Sequence, residues 1–363
     1  MRIAMIGARG IPARAGGVES VVEALTAELS ARGHDVLVYA REKYIAGLAP
    51  PTYGQVITTA GLSGKHTDTL THTATAMLDV IKRDVDVVHI HSPGPALWSW
   101  LGKLAKKKIV LTVHAPDWQR DKWSVPARAS LKLGLSMGMK LADAVTSVSQ
   151  PLAQELSDKF GRTVHFIPNA PPIVPAHISD EPLAKWSLAG ESFGLYVGRI
   201  VPEKRLDMLI KAWRKAPAGV PLVVVGELGN DSFSCQCRAL AQGADVKFIG
   251  PQFGQDLAAL YGHCWFLVQP SVLEGMSMVL LEAAAHGRCI IAADIPANRD
   301  LLGGAILYFK RDNIPSLEAQ ICRCLTKEET RSQVGLAALY RSAQLPQWSD
   351  VAEKTERVYL RLE

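Results

Sequence analysis

The sequence predicts an α/β fold made of two Rossmann-like parallel-sheet domains that face each other across a cleft. Its 363 residues are too many for one ordinary core and suggest about two domains. Short apolar runs alternate with amphipathic stretches along the chain, which is typical of βαβ units. The segment IPNAPPIVPAHISDEP places five prolines in 16 residues and separates two such series, because proline resists both helix and sheet interiors.

In the first series, seven short apolar runs predict strands. They are Ile3–Ile6, Val36–Tyr39, Gln55–Thr58, Val87–His91, Ile109–Val113, Val145–Val148 and Val164–Ile167. The stretches between them show helical periodicity, most clearly at Ser20–Arg32, Asp68–Lys82 and Ala127–Leu141.

The second series starts at GLYVGRI and continues with PLVVVGE, VKFIG, WFLVQPS, CIIAAD and ILYF. The last segment, PQWSDVAEKTERVYLRLE, has the apolar face of a helix. The predicted domains are therefore residues 1–173 and 184–345, joined by a linker at 174–183. Residues 346–363 are expected to form a helix that crosses back to the first domain.

Composition is that of a globular enzyme, with 48% hydrophobic and 21% charged residues. No apolar run approaches the roughly 18 residues that a membrane span needs, and the first residues are too short an apolar stretch for a signal peptide. The six cysteines lack the spacing of a zinc site. We therefore expect a cytoplasmic protein with reduced thiols.

The net charge of +5 is unevenly distributed. Residues 1–175 contain 20 basic and 14 acidic residues, whereas the remainder contains 20 and 21. The excess is modest and no nucleic-acid-binding motif is present, so nucleic acid is not expected as a partner.

Ligands of open parallel sheets bind at the loops that follow the strands. After the first strand, GARGIPARAGGVES brings Gly16 and Gly17 just ahead of a helix, where their amides can approach an anion. A glycine turn formed for its geometry alone is an equal alternative. The glycines do not fit a dinucleotide fingerprint, which disfavours a nicotinamide oxidoreductase.

Two cations follow the first strand of the second domain. Arg199 and Lys204, in VGRIVPEKRLDMLIKAW, flank a Pro-Glu step ahead of an amphipathic helix. Arginine can hold a diphosphate in a forked geometry and lysine as a point charge. Taken alone, the two cations are better explained by a solvated basic turn, since most surface cations are simply solvated.

Two acids surround the next helix start, in SVLEGMSMVLLEAAAHG. Ser277 is predicted to be the N-cap, so that nearby amides favour a phosphate. Glu274 and Glu282 would then accept hydrogen bonds from hydroxyls on either side. The amides in question belong to Gly275, Met276, Ser277 and Met278. A sugar nucleotide, with hydroxyls at both ends and phosphate between, has this layout.

These motifs resemble those of one family. EGMSMVLLE is similar to the Glu-x7-Glu signature of retaining glycosyltransferases of family four, which have the GT-B fold, and GRIVPEKRLDMLIKA to their phosphate-binding element. The Gly-Gly loop, ADAVTSVSQ, FIPNA and the Trp348 helix also match, so the resemblance covers nearly the whole chain. GARGIPARAGGVES, GKHTDTLTHT and TVHAPDWQRDKW look closest to the rhamnosyltransferase-like members of bacterial surface-polysaccharide synthesis.

The resemblance implies a role for each donor-site residue. Arg199 and Lys204 would hold the donor diphosphate, Glu282 the ribose and Glu274 the transferred sugar. Gly17, beside Gly16, would approach the phosphates from the opposite domain. His114 would face the donor sugar and the reacting centre, although a strand-end histidine satisfied locally is the alternative.

The implied reaction is transfer with net retention. Double displacement needs two carboxylates about 5 Å apart around the scissile bond. In this family the equivalent glutamates bind donor hydroxyls, so a front-face attack is expected, with the leaving phosphate accepting the proton. No cofactor or metal is expected, because Arg199, Lys204 and a helix terminus carry the compensating charge.

The acceptor is expected to be a glycan, often lipid-linked in this family as a polyprenyl-diphosphate sugar. Candidate acceptor residues are Asp117, Trp118, Arg120 and Lys122 after His114, with Glu19, Lys65 and His66 elsewhere. Residues 97–110, LWSWLGKLAKKKIV, mix tryptophan, leucine and lysine. This stretch is either a peripheral contact with an anionic membrane or a crossover helix with a solvated lysine end.

Two other functions stay open at this point. A sugar-nucleotide epimerase or hydrolase can share the two-domain fold and would consume the donor without an acceptor. A non-catalytic nucleotide-sugar-binding protein would keep the same binding residues. The nucleotide base, the transferred sugar and the acceptor are not specified by the sequence.

Overall fold

The computed structural model describes residues 1–14, 16–62, 64, 67–120, 123–217 and 219–362. It divides into two compact units. Unit 1 consists of Met1–Asn169 and Pro346–Glu363, and unit 2 of Ala170–Leu345. Each unit is built on one parallel sheet with helices, as the predicted α/β fold class requires.

Unit 1 has seven strands in the order β3-β2-β1-β4-β5-β6-β7. The strands are β1 (Arg2–Ile6), β2 (Asp35–Arg41), β3 (Gln55–Thr59), β4 (Val87–His91), β5 (Lys108–Val113), β6 (Ala144–Ser147) and β7 (His165–Phe166). The α-helices are α1 (Gly17–Ala31), α2 (Glu42–Ile45), α3 (Thr67–Val80), α4 (Ser99–Leu104), α5 (Val125–Leu141) and α6 (Gln150–Phe160), with α14 (Trp348–Leu360) from the end of the chain. Short 3-10 helices cover Pro95–Trp98 and Asp117–Gln119.

Unit 2 has six strands in the order β10-β9-β8-β11-β12-β13. They are β8 (Gly194–Val197), β9 (Leu222–Val225), β10 (Val246–Gly250), β11 (Phe266–Gln269), β12 (Cys289–Ala293) and β13 (Leu307–Phe309). The α-helices are α7 (Leu206–Trp213), α8 (Ser232–Ala241), α9 (Gly254–His263), α10 (Met278–Ala285), α11 (Pro296–Leu302), α12 (Ile314–Thr326) and α13 (Glu328–Ala343). Short 3-10 helices cover Glu181–Trp186, Pro202–Lys204 and Gly303–Ala305.

Each strand segment predicted from the sequence overlaps an observed strand, whereas two helix starts differ by more than one residue. Helix α1 begins at Gly17, three residues before the predicted Ser20, because Gly16 at φ +100° ends the extended loop directly before it. Helix α5 begins at Val125 rather than Ala127, since Pro126 fits the first turn of a helix, where no amide donor is needed.

The sheet of unit 2 separates two apolar cores. Successive side chains of a strand point to opposite faces, so Leu267 joins the core that includes α9 and α10, and Val268 joins the core that includes α7 and α12. Burial on both faces explains why the inner strands β8, β9, β11 and β12 are almost wholly apolar, whereas the edge strand β10 is only partly buried and contains Lys247.

The C-terminal helix α14 belongs to unit 1 and contacts α1. Glu356 on α14 accepts hydrogen bonds from Arg32 Nη2 at 2.6 Å and lies 2.8 Å from His34 Nε2. Tyr359, one turn further on, is fully buried, and its hydroxyl lies 2.6 Å from Nδ1 of His89 in β4. The C-terminal helix is therefore anchored to unit 1, the unit that also contains β1.

The six cysteines are free thiols. Within the described ranges, no helix is both long enough and apolar enough to cross a membrane.

Candidate functional site

The loops that carry most of the predicted residues follow two neighbouring strands of unit 2. Strands β8 and β11 pair in parallel, with Leu267 opposite Leu195, although two further strands separate them in sequence. This is the point where the strand order reverses, and open α/β sheets bind ligands at such points. Arg199 and Lys204 follow β8, and Glu274 follows β11.

Lys204 and Glu274 form a shielded ion pair at this edge. Nζ of Lys204 donates to Oε1 of Glu274 at 2.5 Å, and their side chains are 15% and 10% exposed. Gln269, the last residue of β11, donates from Nε2 to the same Oε1 at 3.0 Å and to Oγ of Ser277 at 2.6 Å. One amide side chain therefore fixes both the carboxylate and the first residue before α10.

Ser277 caps α10 as the sequence predicts, because its Oγ accepts a hydrogen bond from the amide of Leu280 at 3.4 Å. The amides of the first helical turn have no intrahelical acceptor, so those of Met278 and its successor are available to an anion. Gly275 is buried in the same loop, and Met276 and Met278 pack against the neighbouring core.

Glu282 lies in the second turn of α10, outside the hydrogen-bond network of Lys204. Its Oε2 accepts a hydrogen bond from the hydroxyl of Tyr261 at 2.6 Å. Burial raises the pKa of Glu282 to about 7, and the tyrosine hydrogen bond offsets only part of that increase. The ring of His286 stacks on Tyr261 with centroids 5.3 Å apart. The carboxyl group is thus held in place by an aromatic neighbour rather than by a cation.

Arg199 is exposed, unlike Lys204. The hydroxyl of Tyr196, at the end of β8, donates to the Arg199 carbonyl oxygen at 3.1 Å and so holds its backbone. The structure therefore places one of the two predicted phosphate ligands in a shielded ion pair and the other at the surface of the same loop.

Unit 1 has its own reversal of strand order, between β1 and β4. The loop after β1 leads through Gly16 to Gly17, the first residue of α1. Glu19 is buried in the first turn, and its Oε1 accepts hydrogen bonds from both N and Nε of Arg9, at 3.1 and 3.0 Å. A Cβ on Gly16 would lie 2.3 Å from Oε2 of Glu19. The Glu19 carboxylate therefore links the loop after β1 to the first turn of α1, next to Gly16 and Gly17.

His114 directly follows β5 and is only 8% exposed. Its Nε2 lies 3.0 Å from Nδ1 of His91, the last residue of β4, and the two rings stack. Burial lowers the pKa of His114 to about 4 and that of His91 well below its ordinary value, so both rings are neutral at pH 7.

The candidate acceptor residues occupy different environments. Asp117 and Arg120 pair within one turn, with Oδ1 and Nε 2.7 Å apart. Trp118 between them is 5% exposed and packs in the core of unit 1, so little of its ring is accessible to a ligand. Lys65, His66 and Lys122 lie outside the described residues.

Four residues that hydrogen-bond to predicted site residues were not themselves predicted. They are Gln269, Tyr261, Arg9 and His91. Gln269 ends an otherwise apolar strand, and His91 ends a strand whose other polar residue is His89, so both carried a signal. Tyr261 and Arg9 carried none, since their roles depend on partners that the fold selects.

Among the described residues, no group of three or more histidine, cysteine, aspartate or glutamate side chains could hold a metal ion.

Two family models match the chain. Residues 15–171 match Glycosyltransferase Family 4, and residues 184–339 match Glycosyl transferases group 1. A GDP-mannose-dependent alpha-mannosyltransferase of Mycobacterium tuberculosis is 30% identical over 235 residues, which cover 60% of this chain and 58% of that relative.

Solved structures match over nearly the full length. Sucrose-phosphate synthase from Thermosynechococcus elongatus superposes with a TM-score of 0.81 at 22% identity, covering 99% of this chain and 98% of the other. HepE of Anabaena, in complex with UDP and glucose, superposes with a TM-score of 0.80 at 16% identity and covers 99% of both chains. At these identities the likeness establishes the fold.

Proposed function

This chain is a family-four glycosyltransferase with the GT-B fold, and on that premise we propose that it moves a sugar from a nucleotide-sugar donor to a glycan acceptor with net retention. The matched families are named for glycosyl transfer, which favours a transferase over an epimerase, a hydrolase or a non-catalytic binding protein. The 58% coverage of the mannosyltransferase leaves the sugar and the acceptor to be argued from the site.

One observation carries the proposal, namely the shielded pair of Lys204 and Glu274 beside the capped start of α10. A cation, free helix amides and a carboxylate at one strand-order reversal suit a ligand with phosphate next to hydroxyls. In this proposal Lys204 and Arg199 bind the diphosphate, Glu274 the transferred sugar and Glu282 the ribose. Lys204 must then exchange its carboxylate partner for a phosphate.

The proposed chemical step is a front-face displacement. The acceptor oxygen forms a bond to the anomeric carbon as the bond from that carbon to the diphosphate oxygen breaks. The acceptor proton passes to the leaving phosphate, and a nucleoside diphosphate departs. Lys204, Arg199 and the α10 amides stabilise the negative charge that develops on the leaving group, so the step is proposed to need no metal.

The proposed acceptor is a lipid-linked sugar, and a surface of unit 1 supports contact with an anionic membrane. On α4, Trp100 is 40% and Leu104 is 74% exposed, and the exposed Lys106 and Lys108 follow directly. Exposed apolar side chains followed by exposed lysines suit an anionic lipid surface. Lys103 is instead paired with Asp143 at 2.7 Å and is not part of this surface.

The test of donor binding is thermal unfolding of the purified protein with a panel of nucleoside diphosphates and their sugars, without added metal. A ligand that binds only the folded state raises the melting temperature. We expect one nucleotide class to produce a shift, and the same sugar nucleotide to be consumed only when an acceptor is added.

Two results would contradict the proposal. Donor consumption that is independent of acceptor would indicate a hydrolase or an epimerase. The absence of any shift with folded protein, even with magnesium restored, would indicate that Glu274 and Glu282 have structural roles only.

A further inference from the structure

Three side chains form a hydrogen-bonded row on one face of the unit 1 sheet. Nε2 of His91 lies 3.4 Å from Sδ of Met5 in β1, and Nδ1 of His91 lies 3.0 Å from Nε2 of His114. Met5 and His91 are each 1% exposed. Buried polar groups are normally hydrogen-bonded, and the partner that each of these nitrogens faces is the neighbouring side chain in the row.

Each ring of this row carries a single proton at neutral pH. Both histidines are buried, burial disfavours the charged form, and the pKa of each is lowered accordingly. In a neutral imidazole one nitrogen donates a hydrogen bond and the other accepts. The contacts of one nitrogen therefore determine what the other can do.

The thioether of Met5 determines which ring nitrogen of His91 donates a hydrogen bond and which accepts one. Its sulfur has no hydrogen and can only accept. Nε2 of His91 must then carry the proton, and Nδ1 of His91 is an acceptor. His114 consequently donates from Nε2 to His91, and its own Nδ1 is left without a proton. The reverse arrangement would place the lone pair of His91 Nε2 against sulfur, leaving a buried acceptor without a donor.

We infer that His91 is a positioning residue that holds His114 in the tautomer protonated on Nε2, so that Nδ1 of His114 accepts a hydrogen bond from a hydroxyl of the ligand. This inference rests on the proposed function and on the family resemblance, which implies that His114 faces the donor sugar. Within the part of the chain that the structure describes, Nδ1 of His114 has no hydrogen-bond partner. His114 retains 8% exposure whereas Met5 and His91 retain 1% each, so His114 is the member of the row that a ligand can reach.

The inference makes His114 a determinant of specificity. An acceptor nitrogen requires a donor on the ligand, and a site built to bind a hydroxyl rejects an analogue that lacks it. A donor sugar that is deoxygenated at the contacted position would leave Nδ1 unpaired. The row thus predicts discrimination between hydroxylated and deoxy sugars at one position.

The direct test is the tautomer of His114 in the full-length protein labelled with nitrogen-15 at histidine. Long-range proton–nitrogen spectra distinguish protonated from unprotonated ring nitrogens, and a His114→Asn variant assigns the signals. We expect Nε2 of His114 to be protonated and Nδ1 unprotonated at neutral pH. A protonated Nδ1, or an even mixture of tautomers, would overturn the inference.

Variants of the row provide a second test. Met5→Leu keeps the apolar volume but removes the acceptor, so His114 should then populate both tautomers; an unchanged spectrum would remove Met5 from the argument.

His91→Asn keeps an acceptor oxygen near the position of Nδ1, whereas His91→Leu removes it. We expect His91→Leu to lower kcat/KM for the donor by at least about tenfold, and His91→Asn to recover most of that loss.

Equal rates in a folded His91→Leu protein and wild type would contradict the positioning role. If His91→Leu does not fold, Met5→Leu still decides, because its spectrum is read without turnover. If His114 is protonated on Nε2 as expected but the protein transfers no sugar, the result contradicts the proposed function and leaves the positioning role of His91 standing.

Discussion

Nζ of Lys204 and Oε1 of Glu274 lie 2.5 Å apart although the two residues are 70 positions apart in sequence. The parallel pairing of β8 with β11 brings their loops together. In the proposed donor complex, both groups would exchange this contact for the ligand, the lysine for phosphate and the glutamate for a sugar hydroxyl. The ion pair keeps two charged groups satisfied in a shielded position before the ligand arrives.

Replacement of this lysine tests its proposed role in charge stabilisation. We expect Lys204→Ala to lower turnover by at least about tenfold, the scale of one lost charge-assisted contact. The matched control is Lys185→Ala, since Lys185 pairs with Asp256 at 2.7 Å in the same unit but is 57% exposed. Initial rates of both folded variants are the measurement, and equal rates would remove Lys204 from the mechanism.

The raised pKa of Glu282 predicts that the free energy of unfolding depends on pH. The pKa of its carboxyl is about 7 in the folded protein, against an ordinary value of 4.5. Between these values the folded state binds more protons than the unfolded state, so the contribution of Glu282 to the free energy of unfolding falls as pH rises.

Glu282→Gln cannot titrate and should lose that dependence. We expect the free energy of unfolding of the variant to improve relative to wild type as pH rises from about 5 to about 7. Urea unfolding at a series of pH values measures this difference. A difference that is constant with pH would mean that Glu282 is ionised throughout the range.

The hydrogen bond between Tyr359 and His89 is expected to stabilise the attachment of α14 to unit 1. The hydroxyl of Tyr359 lies 2.6 Å from Nδ1 of the buried His89. Tyr359→Phe removes the hydroxyl and leaves that nitrogen unpaired, which should cost about 1 to 3 kcal/mol of the free energy of unfolding. Tyr340→Phe is the control, because Tyr340 is 71% exposed on α13 and should change stability little. Chemical unfolding that shows equal stability for both would refute this attachment.

Gly16 predicts that the loop before α1 accepts no larger residue. Gly16→Ala combines a φ of +100° with a Cβ 2.3 Å from Oε2 of Glu19, so it should disturb the Arg9–Glu19 pair. Gly33→Ala is the matched control, since Gly33 has a φ of +88° but a Cβ added there would meet no atom within 4 Å.

We expect Gly16→Ala to lose more stability than Gly33→Ala, and to weaken nucleotide binding when Gly33→Ala does not. Thermal unfolding with and without the nucleotide measures both effects. Equal losses in the two variants would mean that only the backbone angle matters at Gly16.

Much of the fold was predictable from the sequence. The periods of the apolar pattern located the strands of both sheets, because a buried parallel strand is apolar on both faces. The rule that ligands bind after the strands then directed attention to Arg199, Lys204 and Glu274. Ser277 was predictable as a cap because capping is a local interaction over three residues.

The partners in the site were not predictable in the same way. Tyr261 lies 21 positions from Glu282, and His91 lies 23 positions from His114. No local pattern pairs such residues, since strand register and helix packing decide which side chains meet. The same applies to Gln269, whose polarity was visible but whose two acceptors were not.

The sequence by itself determined where the strands and the Ser277 cap lie, and which residue types follow each strand, because these depend on neighbours along the chain. Only the tertiary structure decided that Lys204 is paired with Glu274, that Glu282 is buried enough to raise its pKa, and that Met5 faces His91. Hydrogen-bond partners and burial arise from contacts between distant segments, and those contacts exist only once the sheets have formed.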